Sequence, residues 1–136
     1  MMKPVTIALA IFLGVCADAY AQNVLTRDIQ WNVSKTFNAQ DSTWKEEPAV
    51  FISYGKTQLE WRDAQGAPIQ SFKVIDAVGE WTNAREDGFV QYEITDAQYS
   101  GTVSIRREEK EVTIRITIAS DPEASYELTI KNHKTL

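Results

Sequence analysis

Histidine and cysteine are almost absent from this chain, which has one residue of each type among 136. These two residue types supply most zinc ligands, and histidine is the usual base that activates a catalytic serine or cysteine. His133 and Cys16 stand far apart, near opposite ends of the sequence. The sequence therefore predicts a protein without a metal site or cofactor, and it predicts a protein that is not an enzyme.

Basic clusters are also scarce, because the chain carries a net charge of -5 and its longest basic cluster is Arg106-Arg107. Nucleic acids and anionic membrane surfaces are bound through clustered lysine and arginine. The sequence therefore predicts that neither is a partner. A small apolar molecule, or an envelope or secreted protein, is the expected partner.

Long apolar runs are missing except for residues 4–15, which follow Lys3 and precede Ala19-Tyr20-Ala21. This run is shorter than the roughly 20 apolar residues that span a bilayer. A charged start, a short apolar stretch and small residues before the cut are the pattern of a secretory signal peptide. We predict a signal peptide over residues 1–21, a single β domain over residues 22–136, and export to the periplasm or the medium without stable membrane insertion.

Cys16 offers a minor alternative, since the residues before it loosely resemble a lipid-attachment motif. Val15 stands where such a motif has a small residue. In either case the exported domain has no cysteine pair and forms no disulfide. At roughly 115 residues it is long enough to bury one continuous core, and we expect a monomer.

Alternating apolar and polar residues recur about every 8 to 12 residues after Thr26, with turn residues between them. Such spacing is typical of short antiparallel strands. We predict an all-β fold, a small antiparallel meander of about eight strands, and favour a lipocalin-like barrel over a two-sheet sandwich. The predicted inward residues are Ile29, Trp31, Val33, Val50, Ile52, Tyr54, Leu59, Trp61, Phe72, Val74, Val90, Tyr92, Ile94, Val103, Ile105, Val112, Ile114, Ile116, Ile118, Tyr126, Leu128 and Ile130.

Two segments depart from this alternation. Thr43 and Glu46 resemble a helix capping box before Pro48, so residues 41–47 are predicted as one helical turn, a long loop or an irregular strand. This segment is long enough to form a lid that carries Trp44. The tail from Asn132, which includes His133, is expected to be frayed.

Aromatic side chains are the candidate binding residues. Large rings on the inward face either fill a barrel of about eight strands or line a cavity for one small ligand. The second interpretation predicts a ligand site made by six aromatic residues, Trp31, Tyr54, Trp61, Phe72, Tyr92 and, in the lid, Trp44.

A loop between Gly79 and Gly88 provides the alternative, a protein-protein interaction or inhibitor surface. There Trp81 and Arg85 are the candidate partner-binding anchors, since tryptophan and arginine dominate interface energetics. Gly79-Glu80-Trp81 matches the Gly-x-Trp signature of lipocalins, but that signature belongs to a lipocalin's first strand and here lies in mid-chain. The sequence is therefore assigned to no family.

Overall fold

A computed structural model describes residues 23–96 and 100–136, which form one short 3₁₀ turn and nine strands. The turn is Val24–Thr26, and the strands are β1 (Asp28–Asn38), β2 (Thr43–Lys45), β3 (Ala49–Tyr54), β4 (Gln58–Asp63), β5 (Pro68–Glu80), β6 (Gly88–Thr95), β7 (Ser100–Glu108), β8 (Glu111–Ile118) and β9 (Asp121–Thr135). The predicted signal peptide and Cys16 lie outside the described residues.

The strands form a closed antiparallel barrel. Each strand from β3 to β8 pairs with the next one along the chain, and β1 pairs with both β3 and β9. This closure uses eight strands, while β2 is a short ninth strand paired with the end of β1. The predicted all-β meander and the lipocalin-like barrel are thus confirmed. Closure pairs β1 on both sides along most of its length, and it pairs the middle of β9 with both β8 and β1.

Inward residues on most strands are the ones that the alternation predicts. Ile29, Trp31 and Val33 are buried on β1, and Leu59 and Trp61 are buried on β4. The same holds on β5 to β9 for Phe72, Val74, Val90, Tyr92, Ile94, Val103, Ile105, Val112, Ile114, Ile116, Leu128 and Ile130. Ile118 and Tyr126 are partly buried and pack against this core.

The predicted inward face of β3 is wrong by one residue. Phe51 lies opposite both Trp31 and Trp61 and is fully buried, and Ser53 is buried beside it. Tyr54 therefore faces outward, opposite Asp28 and Gln58. The cause is that β3 is apolar on both faces, so alternation alone does not choose between them.

The predictions for the two irregular segments also need correction. Residues 43–45 form strand β2 instead of a helical turn, which agrees with the strand alternative and not with the capping box. The tail is not frayed, because residues of β9 up to Thr135 pair with β1 down to Ile29. These pairs join residues about a hundred positions apart, which no local pattern can reveal.

One end of the barrel is closed by the N-terminal 3₁₀ turn and Trp81. The backbone N–H of Val24 donates to the carbonyl of Trp81, and both side chains are buried, with Trp81 only 2% exposed. The Trp81 ring stacks on Trp31 with centroids 5.6 Å apart. We call this end, made by Val24, Leu25 and Trp81, the closed end.

Candidate ligand site at the open end of the barrel

A cavity of about 300 Å³ lies at the opposite end of the barrel, beside the hairpin of β1 and β2. We call it the mouth cavity. Its volume is at the lower limit of typical small-molecule sites. Its lining combines five apolar residues with five polar or charged ones: Pro48, Ala49, Trp61, Ile69 and Tyr126, and Thr36, Asn38, Lys45, Glu47 and Asp63.

A β-bulge in the first strand turns polar residues toward this cavity. Val33 lies opposite Ile130 and Thr36 opposite Leu128, so three steps on β1 match two steps on β9. The extra residue, Ser34, reverses the alternation, as bulges do. Thr36 and Asn38 consequently line the mouth cavity, where strict alternation would have placed Lys35 and Phe37.

Trp61 forms the aromatic wall of the mouth cavity. Its side chain is nearly buried, at 8% exposure, and it meets Tyr126 edge-on with ring centroids 5.2 Å apart and an interplanar angle of 68°. The indole Nε1 of Trp61 is buried and has no hydrogen-bond partner among the described residues. Leaving such a donor unsatisfied costs about 1–3 kcal/mol, so an acceptor placed beside it would be favourable.

Charged side chains at the rim of the mouth cavity are unequal in sign, with Glu47 and Asp63 against Lys45. Asp63 Oδ1 accepts hydrogen bonds from the backbone N–H groups of Gln65 and Ala67, at 2.9 and 3.0 Å, and so fixes the turn between β4 and β5. Glu47 forms no ion pair within the part of the chain that the structure describes. The rim therefore carries a negative excess.

The structure separates the six predicted ligand-binding aromatics. Only Trp61 lines the mouth cavity. Trp31, Phe72 and Tyr92 lie in the packed interior, with exposures of 0%, 2% and 0%. Trp31 Nε1 donates to Ser53 Oγ at 3.0 Å, and burial raises the pKa of the Tyr92 phenol well above its ordinary value. These three side chains fill the middle of the barrel.

Tyr54 and Trp44 both lie outside the barrel, which corrects the predicted inward position of Tyr54. Tyr54 Oη donates to Glu60 Oε2 at 3.2 Å, and burial followed by the Glu60 charge raises the pKa of Tyr54. Glu60 also accepts from Arg62 Nε at 2.7 Å, which lowers the pKa of the carboxyl group. Trp44 is 50% exposed.

Trp44 packs on the outer side of the β1–β2 hairpin. Its ring lies 4.9 Å from the ring of Phe37, and Lys35 Nζ lies 4.6 Å from the indole centroid. Because neighbouring residues of a strand face opposite sides, Lys45 points to the mouth cavity while Trp44 points away from it. The hairpin borders the mouth, but Trp44 is not the residue that faces a ligand there.

The two predicted partner-binding residues, Trp81 and Arg85, differ in exposure. Trp81 is buried at the closed end, where its Nε1 donates to the Glu86 carbonyl at 2.9 Å, so it is not an exposed anchor. Arg85 is exposed in the same loop. Close packing between Trp81 and Gly88 explains the burial, because a Cβ at position 88 would overlap the indole ring.

His133 lies at the closed end as well. Its ring is 5.2 Å from the ring of Trp31, and burial, with smaller contributions from the charges of Arg107 and Arg85, lowers its pKa. A second bulge brings it inward, since Lys131 is the extra residue between the pairs formed by Ile130 and Asn132. The sequence has no signal for this position, because the residues around His133 are polar.

Two other concave surfaces lie on the described part of the chain. One of about 400 Å³ lies on the outer wall and is lined by Thr57, Gln58, Ser71, Phe72, Lys73, Thr95 and Asp96. Another, of about 430 Å³, lies between Ile75 and the strands that follow. Although larger, both are more open than the mouth cavity, which has the aromatic wall and the unpaired donor.

Most of the residues around the mouth have no sequence pattern that marks them as ligand-binding. The alternation predicts that Tyr126 faces inward, and it gives no signal for Ile69, Lys45, Glu47 or Asp63. Ile69 and Asp63 flank the predicted turn between β4 and β5, which is the one signal that could have placed them at a barrel end.

The described residues thus define a small, closed antiparallel barrel with one plugged end and one open mouth. No family model, curated protein or solved structure matches the chain. Within residues 23–96 and 100–136, no three acidic or histidine side chains gather as metal ligands. No helix in those same ranges has the length and apolar character needed to cross a bilayer.

Proposed function

We propose that this protein is an exported, monomeric and non-catalytic binding protein that holds a small molecule in the mouth cavity. The observation that carries the proposal is the buried, unpartnered Nε1 of Trp61 in the wall of that cavity. Ligand sites typically combine apolar and aromatic walls with a few polar groups that fix orientation. The mouth cavity has this composition.

The architecture supports binding at the mouth rather than in the middle of the barrel. Fully buried side chains, among them Trp31, Phe51 and Tyr92, occupy the interior, and Trp81 plugs the closed end. A ligand in the interior would have to displace packed side chains, at a cost of several kcal/mol. A ligand at the mouth displaces none of them.

The exported location rests on the sequence of residues 1–21 and is part of the proposal. Catalysis is not part of the proposal. The Glu60 carboxylate accepts hydrogen bonds from Arg62 and Tyr54 on the outer wall, and it does not line the mouth cavity. The partner-binding alternative is disfavoured, since its predicted anchor Trp81 is buried. Arg85 remains exposed, but no observation gives it a partner.

Native mass spectrometry of the protein recovered from its own exported fraction tests the proposal first. We expect extra mass that is lost on denaturation, and we expect Trp61→Leu to abolish it. Trp44→Leu is the matched control, because it removes an exposed tryptophan outside the cavity.

Ligand-observed NMR with a library of small aromatic fragments covers the case in which a weakly bound ligand dissociates during purification. Fragments whose signals depend on Trp61 but not on Trp44 would support the site. A bare chain in the mass spectrum, together with no fragment that depends on Trp61, would refute binding at the mouth.

A further inference from the structure

The charges and the aromatic wall of the mouth cavity indicate the chemical class of its ligand. We infer that the cavity selects a small planar cation that carries a hydrogen-bond acceptor, such as a carbonyl oxygen. This inference rests on the proposed function and narrows it. It combines three features of the cavity: the aromatic pair Trp61 and Tyr126, the free donor of Trp61, and the acidic excess at the rim.

The aromatic pair favours a flat, positively charged molecule. Trp61 and Tyr126 meet edge-on with centroids 5.2 Å apart, so the face of one ring is turned to the edge of the other. Trp61 is nearly buried, and Tyr126 is partly exposed. Cations are attracted to the faces of tryptophan and tyrosine, most strongly where water is excluded.

The unpartnered N–H of Trp61 indicates that the ligand carries a hydrogen-bond acceptor. Trp61 Nε1 is buried, and an indole can only donate, so its hydrogen bond requires an acceptor from outside the described protein. Among the acidic lining residues, Asp63 uses its Oδ1 atom in the turn between β4 and β5, and Glu47 is exposed at the rim. A ligand carbonyl supplies the missing acceptor.

The rim then selects the sign of the ligand's charge. Glu47 and Asp63 outnumber Lys45, and Glu47 has no ion pair with described residues. Lys45 and Glu47 are both exposed at the rim, so their charges offset each other and the partly buried Asp63 leaves one net negative charge there. A cation gains from this arrangement, and an anion of the same shape is repelled.

A matched set of three probes tests the inference on the exported protein. 1-Methylnicotinamide is a planar cation with a carbonyl group, nicotinamide is its neutral counterpart and nicotinate its anionic counterpart. Titrations followed by ¹⁵N-resolved NMR of the indole N–H groups report both affinity and the hydrogen bond. Trp61→Phe identifies the Trp61 signal by its disappearance.

We expect 1-methylnicotinamide to bind about tenfold more tightly than nicotinate and to shift the Trp61 indole proton downfield. Trp61→Phe should weaken binding about fivefold to tenfold, since one hydrogen bond contributes up to about 1.5 kcal/mol. Glu47→Gln should weaken cation binding about threefold, and Glu46→Gln, its exposed neighbour outside the cavity, should have no effect.

These measurements separate an error in the ligand class from an error in the position of the site. Tighter binding of nicotinate, or equal binding of all three probes, would overturn the cationic class while leaving the mouth as the site. Unchanged binding by Trp61→Phe would overturn the role of the donor. If none of the three probes binds but neutral or anionic fragments do so through Trp61, the ligand class is wrong and the proposed function stands.

Discussion

His133 in the last strand lies against Trp31 in the first strand, with ring centroids 5.2 Å apart. The contact joins residues on the two strands that close the barrel, and it lies beside the plug made by Trp81. Because burial and two nearby arginines lower the pKa of His133, the folded barrel favours the neutral imidazole.

The stability of the barrel is therefore expected to fall as the pH is lowered through about 6.5, the ordinary histidine pKa. The unfolded chain binds a proton there that the folded chain resists, so the free energy of unfolding decreases until the lowered folded pKa is reached. Urea midpoints measured between about pH 7.5 and 5.5 avoid most carboxylate titration. His133→Leu should remove the slope in this range. A slope that persists in this variant would show that another group is responsible.

The tail of β9 is expected to be essential for stability. Ending the chain after Lys131 removes the pairs that Asn132, His133 and Thr135 form with β1, and it exposes Trp31. We expect a loss of about 3 kcal/mol or more in the free energy of unfolding, from several backbone hydrogen bonds and lost apolar burial. Urea denaturation measures it, with removal of the exposed Leu136 alone as the milder control. A frayed tail would instead give no difference between the two truncations.

Trp81 is expected to act as a structural plug and not as a partner anchor. Trp81→Ala should destabilise the protein by about 3–5 kcal/mol, which is typical for removing a buried large aromatic side chain. Arg85→Ala, at an exposed position in the same loop, should change stability by less than about 0.5 kcal/mol. Thermal unfolding followed by circular dichroism compares them. Equal, small changes in stability for the two variants would show that Trp81 is not a structural plug.

The extra residue of the first bulge, Ser34, is expected to be dispensable for stability. Deleting it leaves Val33, Thr36 and Asn38 on the inward face, because the pairs with β9 then follow strict alternation. Deleting Thr36 instead turns Phe37 toward the mouth cavity and moves Asn38 outward. We expect the Ser34 deletion to lower the free energy of unfolding by less than about 1 kcal/mol and the Thr36 deletion by about 2 kcal/mol or more, as measured by urea denaturation. If both deletions unfold at the same urea concentration, the register of β1 after the bulge has no such role.

Much of the barrel could be predicted from the sequence because its strands have one apolar face. On β6 to β8, valine, isoleucine and tyrosine alternate with polar residues, and the structure buries the predicted set except for the partly buried Ile118. The prediction failed on β3, where Val50, Phe51 and Ile52 are consecutive and apolar. There the choice of face depended on the neighbours Trp31 and Trp61, which lie on other strands.

The candidate site was less predictable than the fold. Sequence periodicity placed Trp61 inward but assigned it to the same site as Trp31 and Tyr92. The structure places it at the mouth, because β4 ends at Asp63, two residues later. Position along the barrel axis depends on strand stagger, which alternation within one strand does not encode.

The sequence by itself determined the β class, the meander, the single apolar face of most strands and the acidic character of the chain. These properties follow from local periodicity and composition. Only the tertiary structure decided the closure between β1 and β9, the bulges at Ser34 and Lys131, and the separation of a plugged end from an open mouth. Each of these depends on hydrogen-bond register between strands distant in sequence, and register is fixed by the packing of both partners together.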